Sequence, residues 1–214
     1  MGKLLYFPAY GRAEPTRMLL HHAGVQFEDE AVAFADWPTK KATMPNGQMP
    51  VWIDEAGNVL SQSISILNAL AREHGYEPKG LLGNWANSWV SDTIADFAAK
   101  GHFSNIMKPE VSEENLKKWV DDTTNFLALV ENHLAKWQWK YCAGENLTAS
   151  DFHLYGYLAG SGLVLNSNHK KHLAAAAALA ATFGTPATPH LNAWAQNMHE
   201  ELKNYMELRP QYNF

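Results

Sequence analysis

The 214-residue chain carries 17 Lys and Arg against 22 Asp and Glu, a net charge of −5, with 46% hydrophobic and 18% charged residues. Such a composition can bury a sizeable core and excludes the low-hydrophobicity, high-charge pattern of a disordered chain; the length suits two modest domains sharing an interface. No stretch gathers enough Lys or Arg to neutralise a run of phosphates, so a nucleic-acid partner is not expected.

The N-terminal stretch, MGKLLYFPAYGRAE, lacks the apolar core and small-residue cleavage site of a secretory signal, and the expected location is cytoplasmic. Residues 3–7 read as a short buried strand closed by the turn residues Pro8-Ala9-Tyr10-Gly11. Pro15 suits a first helical turn, Met18, Leu19 and Leu20 supply an apolar face, and Gly24 stands where a helix stops. Residues 25–32 follow as a second strand, and a strand-helix-strand sequence predicts a parallel pair with a right-handed crossover. Residues 36–50 hold three prolines and little periodicity, which predicts a long loop with at most a short helix. Val51-Trp52-Ile53 and Val59-Leu60 flank a turn-rich segment and predict an antiparallel hairpin. A helix then opens near Ser61 to Ser63, with Ile66, Leu67 and Leu70 at helical spacing and Gly75 just past its end.

Beyond residue 76 only helical periods remain. The domain reading is therefore 1–76, a linker at 77–83 around Glu77-Pro78-Lys79-Gly80, and an all-helical unit at 84–214. Within it, Trp85 to Met107 and Ser112 to Trp137 predict two long helices. Thr148 to Asp151 forms a capping box, with Leu147 and Phe152 placed as a hydrophobic staple. The alanine-rich stretch 166–189 reads as a short helix in an insertion, and Pro189 to Met206 as the last helix. The longest apolar run, Leu173 to Ala181, falls well short of the ~20 residues that span a bilayer, so no membrane partner is expected. Cys142 is the only cysteine, which excludes an internal disulfide and a Cys-x-x-Cys redox pair and suits a reducing compartment. His169 and His172 have helix-compatible spacing but no third ligand, and no metal is expected. A phosphate-binding Gly-x-x-x-x-Gly-Lys loop and a Gly-x-Ser-x-Gly elbow are both missing from the sequence.

Chemistry would gather where Tyr6 ends the first strand beside one helix start and Gln62-Ser63 opens another, since helix N-termini bind anions. The intervening loop adds Trp37, Lys40, Lys41 and Gln48, and Met49-Pro50 is a position for a cis bond. This set suits a small acidic peptide. Taken singly, Ser63 reads equally as a cap, Lys41 as a solvated charge and Tyr6 as a core aromatic.

Tyr6-Phe7, Gly11-Arg12-Ala13-Glu14, Asp36-Trp37-Pro38, Lys41-Ala42-Thr43-Met44, Gln48-Met49-Pro50-Val51 and Ser61-Gln62-Ser63 together resemble the cytosolic glutathione transferases, the sigma class best. The resemblance extends through the capping box to Arg209-Pro210. It implies a thioredoxin-like N-terminal domain, a helical C-terminal domain, a homodimer, and glutathione as co-substrate. It further implies that Tyr6 holds the glutathione sulfur as thiolate. Arg12 either adds positive potential there or braces the helix through a carboxylate such as Glu14. Phe7 and Pro50 line the glutathione site; Gln62 and Ser63 hold the γ-glutamyl carboxylate, the Met49 backbone pairs with the cysteinyl residue, Trp37 and Lys41 reach the glycyl end, and Gln48 adds a contact. Asp96 or Asp92 of a neighbouring subunit meets the ligand's amino group. Hydrophobic electrophiles would bind between the domains near Phe7, Tyr10, His102, Ile106, His153 and Tyr157. The resemblance leaves three activities open: conjugation, glutathione-dependent prostaglandin D isomerisation, and non-catalytic carriage of the crystallin kind.

Overall fold

The computed structural model describes residues 1–101, 112–160 and 188–212. Strand β1 (Gly2–Tyr6) leads through a 3-10 turn (Gly11–Ala13) into α1 (Glu14–His22) and on to β2 (Phe27–Ala31). Segment 36–50 holds the one-turn helix α2 (Trp37–Lys40) and two 3-10 turns, as its prolines imply, and β3 (Val51–Ile53), β4 (Val59–Ser61) and α3 (Ser63–Glu73) follow. The sheet order is β2-β1-β3-β4. β1 and β2 run parallel with Tyr6 opposite Ala31; β1–β3 and β3–β4 are antiparallel, with Leu4 opposite Trp52 and Trp52 opposite Leu60. This is the thioredoxin-like arrangement, and it sets the end of β1 beside the start of α1.

The second part is helical: α4 (Gly80–Ala99), α5 (Glu113–Trp137), α6 (Ala149–Tyr155) running into a π-helical turn (Gly156–Gly160), and α7 (Pro189–Leu208). Helix α4 begins at Gly80, inside the segment expected to be linker at 77–83. Gly80 itself keeps a left-handed φ of +67°, and the Asn84 side chain reaches back to its carbonyl at 2.6 Å, so the glycine that reads as a breaker forms the entry to the helix. Ser112 caps α5 by accepting the Asn115 amide at 3.2 Å. The expected capping box closes at Thr148: its amide donates to the buried Asp151 carboxylate at 2.9 Å, which also accepts the Cys142 amide and the Trp194 indole N–H. One carboxylate thereby ties the start of α6 to α7 and to the turn after α5. The alanine-rich stretch 166–189 and His169 with His172 lie outside the described residues, apart from the stretch's last two positions.

The hydrophobic core is continuous across both parts, from Leu4, Leu19 and Ile66 through Leu127 and Phe152 to Trp194 and Met198. Helix α1 sits at its centre. Its Pro15 lies so close to the π-helical turn that a Cβ on Gly156 would stand 2.9 Å from the proline ring, so glycine is what lets the two parts meet. Buried on the same helix, Glu14 accepts hydrogen bonds from Arg209 at 2.8 Å and from the Tyr205 hydroxyl at 3.0 Å. The last helix and the residues after it thus complete the first one.

Candidate active site

Tyr6, the last residue of β1, is almost fully buried, and its hydroxyl oxygen accepts the Arg12 backbone N–H at 3.1 Å. That approach depends on Gly11. With φ at +41°, a Cβ there would stand 2.7 Å from the Tyr6 hydroxyl oxygen, so a side chain would occupy the place of the hydrogen bond. Because Oη is already an acceptor, its own proton is left to donate elsewhere. A phenol polarised by an N–H donor is also a stronger donor in turn.

The Arg12 side chain is exposed. The alternative that it braces α1 through Glu14 is corrected by the structure: Glu14 is engaged by Arg209, Tyr205 and, at 3.5 Å, Arg17. Arg17, unremarked in the sequence, is the residue that organises this corner. It is 1% exposed and donates to Asp29 on β2 at 2.8 Å and to the Ala9 carbonyl at 2.8 Å. Its guanidinium lies 5.8 Å from the centroid of the Tyr6 ring.

The other expected site residues lie on the loop before β3 and at the start of α3. The Met49–Pro50 peptide is cis, and both residues are buried. Gln62 takes φ +71° and ψ 109°, an uncommon conformation for a residue with a side chain; such strain gathers at ligand clamps. Its amide lies 3.4 Å from the Gln48 side-chain oxygen, so these two expected contacts meet. Gln62 gives no side-chain cap to α3, whose first turn, opened by Ser63, contains no acidic residue. Its leading N–H groups are therefore suited to an anionic group. Lys41 is exposed beside Gly47, whereas its neighbour Lys40 is held by Glu30 at 2.7 Å. Trp37 is half-buried and meets Phe7 edge-on at 5.3 Å. Phe7 also stacks on Phe34 at 4.8 Å and meets the Tyr6 ring at 5.5 Å. Phe34 had no signal in the sequence beyond being an aromatic in a loop.

The expected electrophile residues divide. Tyr157 lies against Phe97 and Phe126 in an apolar corner, and burial pushes its hydroxyl up to about 12, so it stays protonated. Tyr10 is drawn into packing: the Arg209 guanidinium lies 4.2 Å from its ring, and its hydroxyl accepts the Tyr212 amide at 3.2 Å. His153 is likewise buried, with Nδ1 3.2 Å from the Ser91 hydroxyl, and burial pushes it down to about 4, leaving a neutral imidazole. His102 and Ile106 lie outside the described residues. Asp92 and Asp96 are exposed one turn apart on α4. Among the described residues, no group of three His, Cys, Asp or Glu side chains is placed to hold a metal ion.

The chain thus joins a thioredoxin-like sheet domain, with a tyrosine hydroxyl at the end of β1 and an α3 start without a side-chain cap, to a helical second part. The family model for the glutathione S-transferase N-terminal domain matches residues 2–72, and that for the glutathione S-transferase C-terminal domain matches residues 94–201. The chain belongs to the glutathione S-transferase family. Glutathione S-transferase 1 of Ascaris suum is 32% identical over 165 residues, covering 73% of this chain and 78% of that one. Hematopoietic prostaglandin D synthase of Gallus gallus is 39% identical over 95 residues, covering 44% of this chain and 47% of that one. The crystal structure of the glutathione S-transferase from Ascaris lumbricoides superposes with a TM-score of 0.80 at 27% identity, covering all of both chains.

Proposed function

We propose that this chain is a glutathione transferase of the sigma type, in which the Tyr6 hydroxyl donates a hydrogen bond to the sulfur of glutathione and holds it as thiolate for attack on hydrophobic electrophiles. The observation that carries this reading is the Arg12 N–H bond to the Tyr6 oxygen across a glycine, which leaves the phenolic proton as a donor. The magnitudes agree. Lowering a thiol pKa by about 2 units takes roughly 2.7 kcal/mol of preference for the anion, and a charge-assisted hydrogen bond supplies about 1.5–3 kcal/mol.

Gln62, Ser63 and the open first turn of α3 receive the γ-glutamyl carboxylate. The Met49 backbone pairs with the cysteinyl residue beside Pro50, Gln48 adds a contact, and Trp37 and Lys41 reach the glycyl carboxylate. Phe7 borders the sulfur on the electrophile side, where Tyr157 and the helical domain supply apolar surface. The working unit is a homodimer, with Asp96 of the partner subunit meeting the ligand's amino group; the exposed acids of α4 support this. A reducing cytoplasm suits a protein whose one cysteine is buried and free.

The test is conjugation of glutathione to chlorodinitrobenzene, in which a sulfur–carbon bond forms and chloride departs. Tyr6→Phe should lower kcat/KM at neutral pH by roughly 10- to 150-fold while glutathione still binds. An unchanged kcat/KM would refute the role of Tyr6, and binding without turnover in the wild type would favour a carrier. The prostaglandin D synthase relative supports a second reading, in which the thiolate opens a lipid endoperoxide and is released again. An endoperoxide assay on the same protein separates the two.

A further inference from the structure

Arg17 belongs to none of the groups that would touch glutathione, yet its bonds converge on the segment that aims Tyr6. Its guanidinium joins three pieces of chain. It anchors to β2 through Asp29, with Nε to Oδ2 at 2.8 Å and Nη2 to Oδ1 at 3.4 Å. It holds the turn after β1 through the Ala9 carbonyl at 2.8 Å and, more weakly, the Tyr10 carbonyl at 3.4 Å. It also approaches Glu14 of its own helix at 3.5 Å. Three residues past Ala9 and two past Tyr10 comes the Arg12 N–H, whose bond fixes the Tyr6 hydroxyl.

We propose that Arg17 is a positioning residue for Tyr6: by pinning the Ala9 and Tyr10 carbonyls to α1 and β2, it holds the Gly11–Arg12 amide against the phenol oxygen and thereby directs the phenolic proton toward the sulfur. The reason is geometric. The planar fork serves the Asp29 carboxylate and a backbone carbonyl at once, which a lysine ammonium on a flexible stem does not reproduce. Charge alone is a poor explanation, because Arg17 and Arg209 face Glu14 and Asp29, and two positive groups balance two negative ones. The far side of the clamp is the C-terminal segment. The Tyr212 ring lies 5.6 Å from the Arg17 guanidinium and 5.2 Å from the Tyr10 ring, so residues 209–212 close over the same turn.

This inference rests on the reading of Tyr6 as the group that activates the thiol, and the experiment separates the two. Wild type, Tyr6→Phe, Arg17→Lys and the double variant are compared by chlorodinitrobenzene conjugation across pH, with glutathione affinity measured by calorimetry. Arg17→Lys should lower kcat/KM at neutral pH about tenfold and move the acid limb of the pH profile upward by about one unit. The same change made in the Tyr6→Phe background should have an effect below twofold, because there is no hydroxyl left to aim. Glutathione affinity should change by less than threefold in either background. Equal losses in both backgrounds, or a loss confined to glutathione affinity, would overturn the positioning role while leaving Tyr6 intact. A Tyr6→Phe variant as active as wild type would overturn both. Should Arg17→Lys fail to fold, Asp29→Asn is the second probe: it keeps the guanidinium and its Ala9 bond but loosens the anchor on β2. It should shift the pH profile in the same direction by a smaller amount, and an unmoved profile counts against the proposal.

Discussion

Replacing Gly11 with alanine tests the site at its tightest point. The backbone there has φ +41°, and the new methyl would lie 2.7 Å from the Tyr6 hydroxyl oxygen and 3.2 Å from a ring carbon. A left-handed conformation costs an L residue about 1–2 kcal/mol, and losing the Arg12 N–H bond adds about 1 kcal/mol, so the fold should lose roughly 2–3 kcal/mol. For a chain of this length that is a fall in Tm of roughly 4–12 °C. The ring is packed against Phe7, so relief comes from moving the hydroxyl away from its present place. The thiolate then loses a hydrogen bond of about 1.5–3 kcal/mol, and kcat/KM at neutral pH should drop roughly 10- to 150-fold. The pH dependence is the diagnostic feature. A free thiol ionises unaided near ~8.5, so the deficit should shrink as the assay approaches that pH. Conjugation kinetics between neutral and alkaline pH, with melting curves on the same samples, decide the matter. A folded Gly11→Ala protein with wild-type kcat/KM, or one whose deficit stays constant with pH, would show that the hydroxyl position is not what ionises the sulfur.

His153 should contribute acid lability. Burial pushes its pKa down from 6.5 to about 4, so the unfolded chain binds the proton first; the stability is present above pH 6.5 and is lost as pH falls toward 4, by up to about 3 kcal/mol. Melting temperatures measured from pH 7 to pH 5 should fall less steeply in His153→Gln than in wild type, and parallel curves would argue against it; His21 and His133, also lowered by burial, add to the slope that remains. Cys142 is fully buried and burial pushes its thiol well up, so a chromogenic disulfide reagent should find no reactive thiol in the folded protein and one per chain in denaturant. Rapid labelling of the native state would contradict that packing.

The elements that sequence periodicity makes legible are those whose signals are local. Alternation and apolar runs mark β1 to β4, Gly24 and Gly75 stand just past α1 and α3, and Thr148 with Asp151 announces α6. Tyr6, Gln48, Gln62 and Ser63 stand out in the sequence because each sits at the end of an element, and of the four Gln48 and Gln62 are seen in contact. The Arg17 clamp is not readable that way. Its partners lie on β2 and on the turn before α1, and the Glu14–Arg209 pair spans 195 positions, which leaves no spacing to detect. Gly11 reads as turn punctuation, and only the folded tyrosine reveals that its missing side chain makes room for a hydroxyl. Tyr10 and His153 show the reverse: placed near the cleft by motif, they are taken up by packing against Arg209 and Ser91.

The carboxylate of Glu14 has consequences for how the molecule is made. Its partners at positions 205 and 209 are made about 190 residues after it, so a nascent chain that has already emitted β1 to β4 holds this buried acid with Arg17 as its partner and still lacks the other two donors. The half that bears Tyr6 therefore gains these bonds only after residue 209 has been made. A frameshift just before codon 205 would remove both donors and loosen the first helix from about 190 residues away in the sequence.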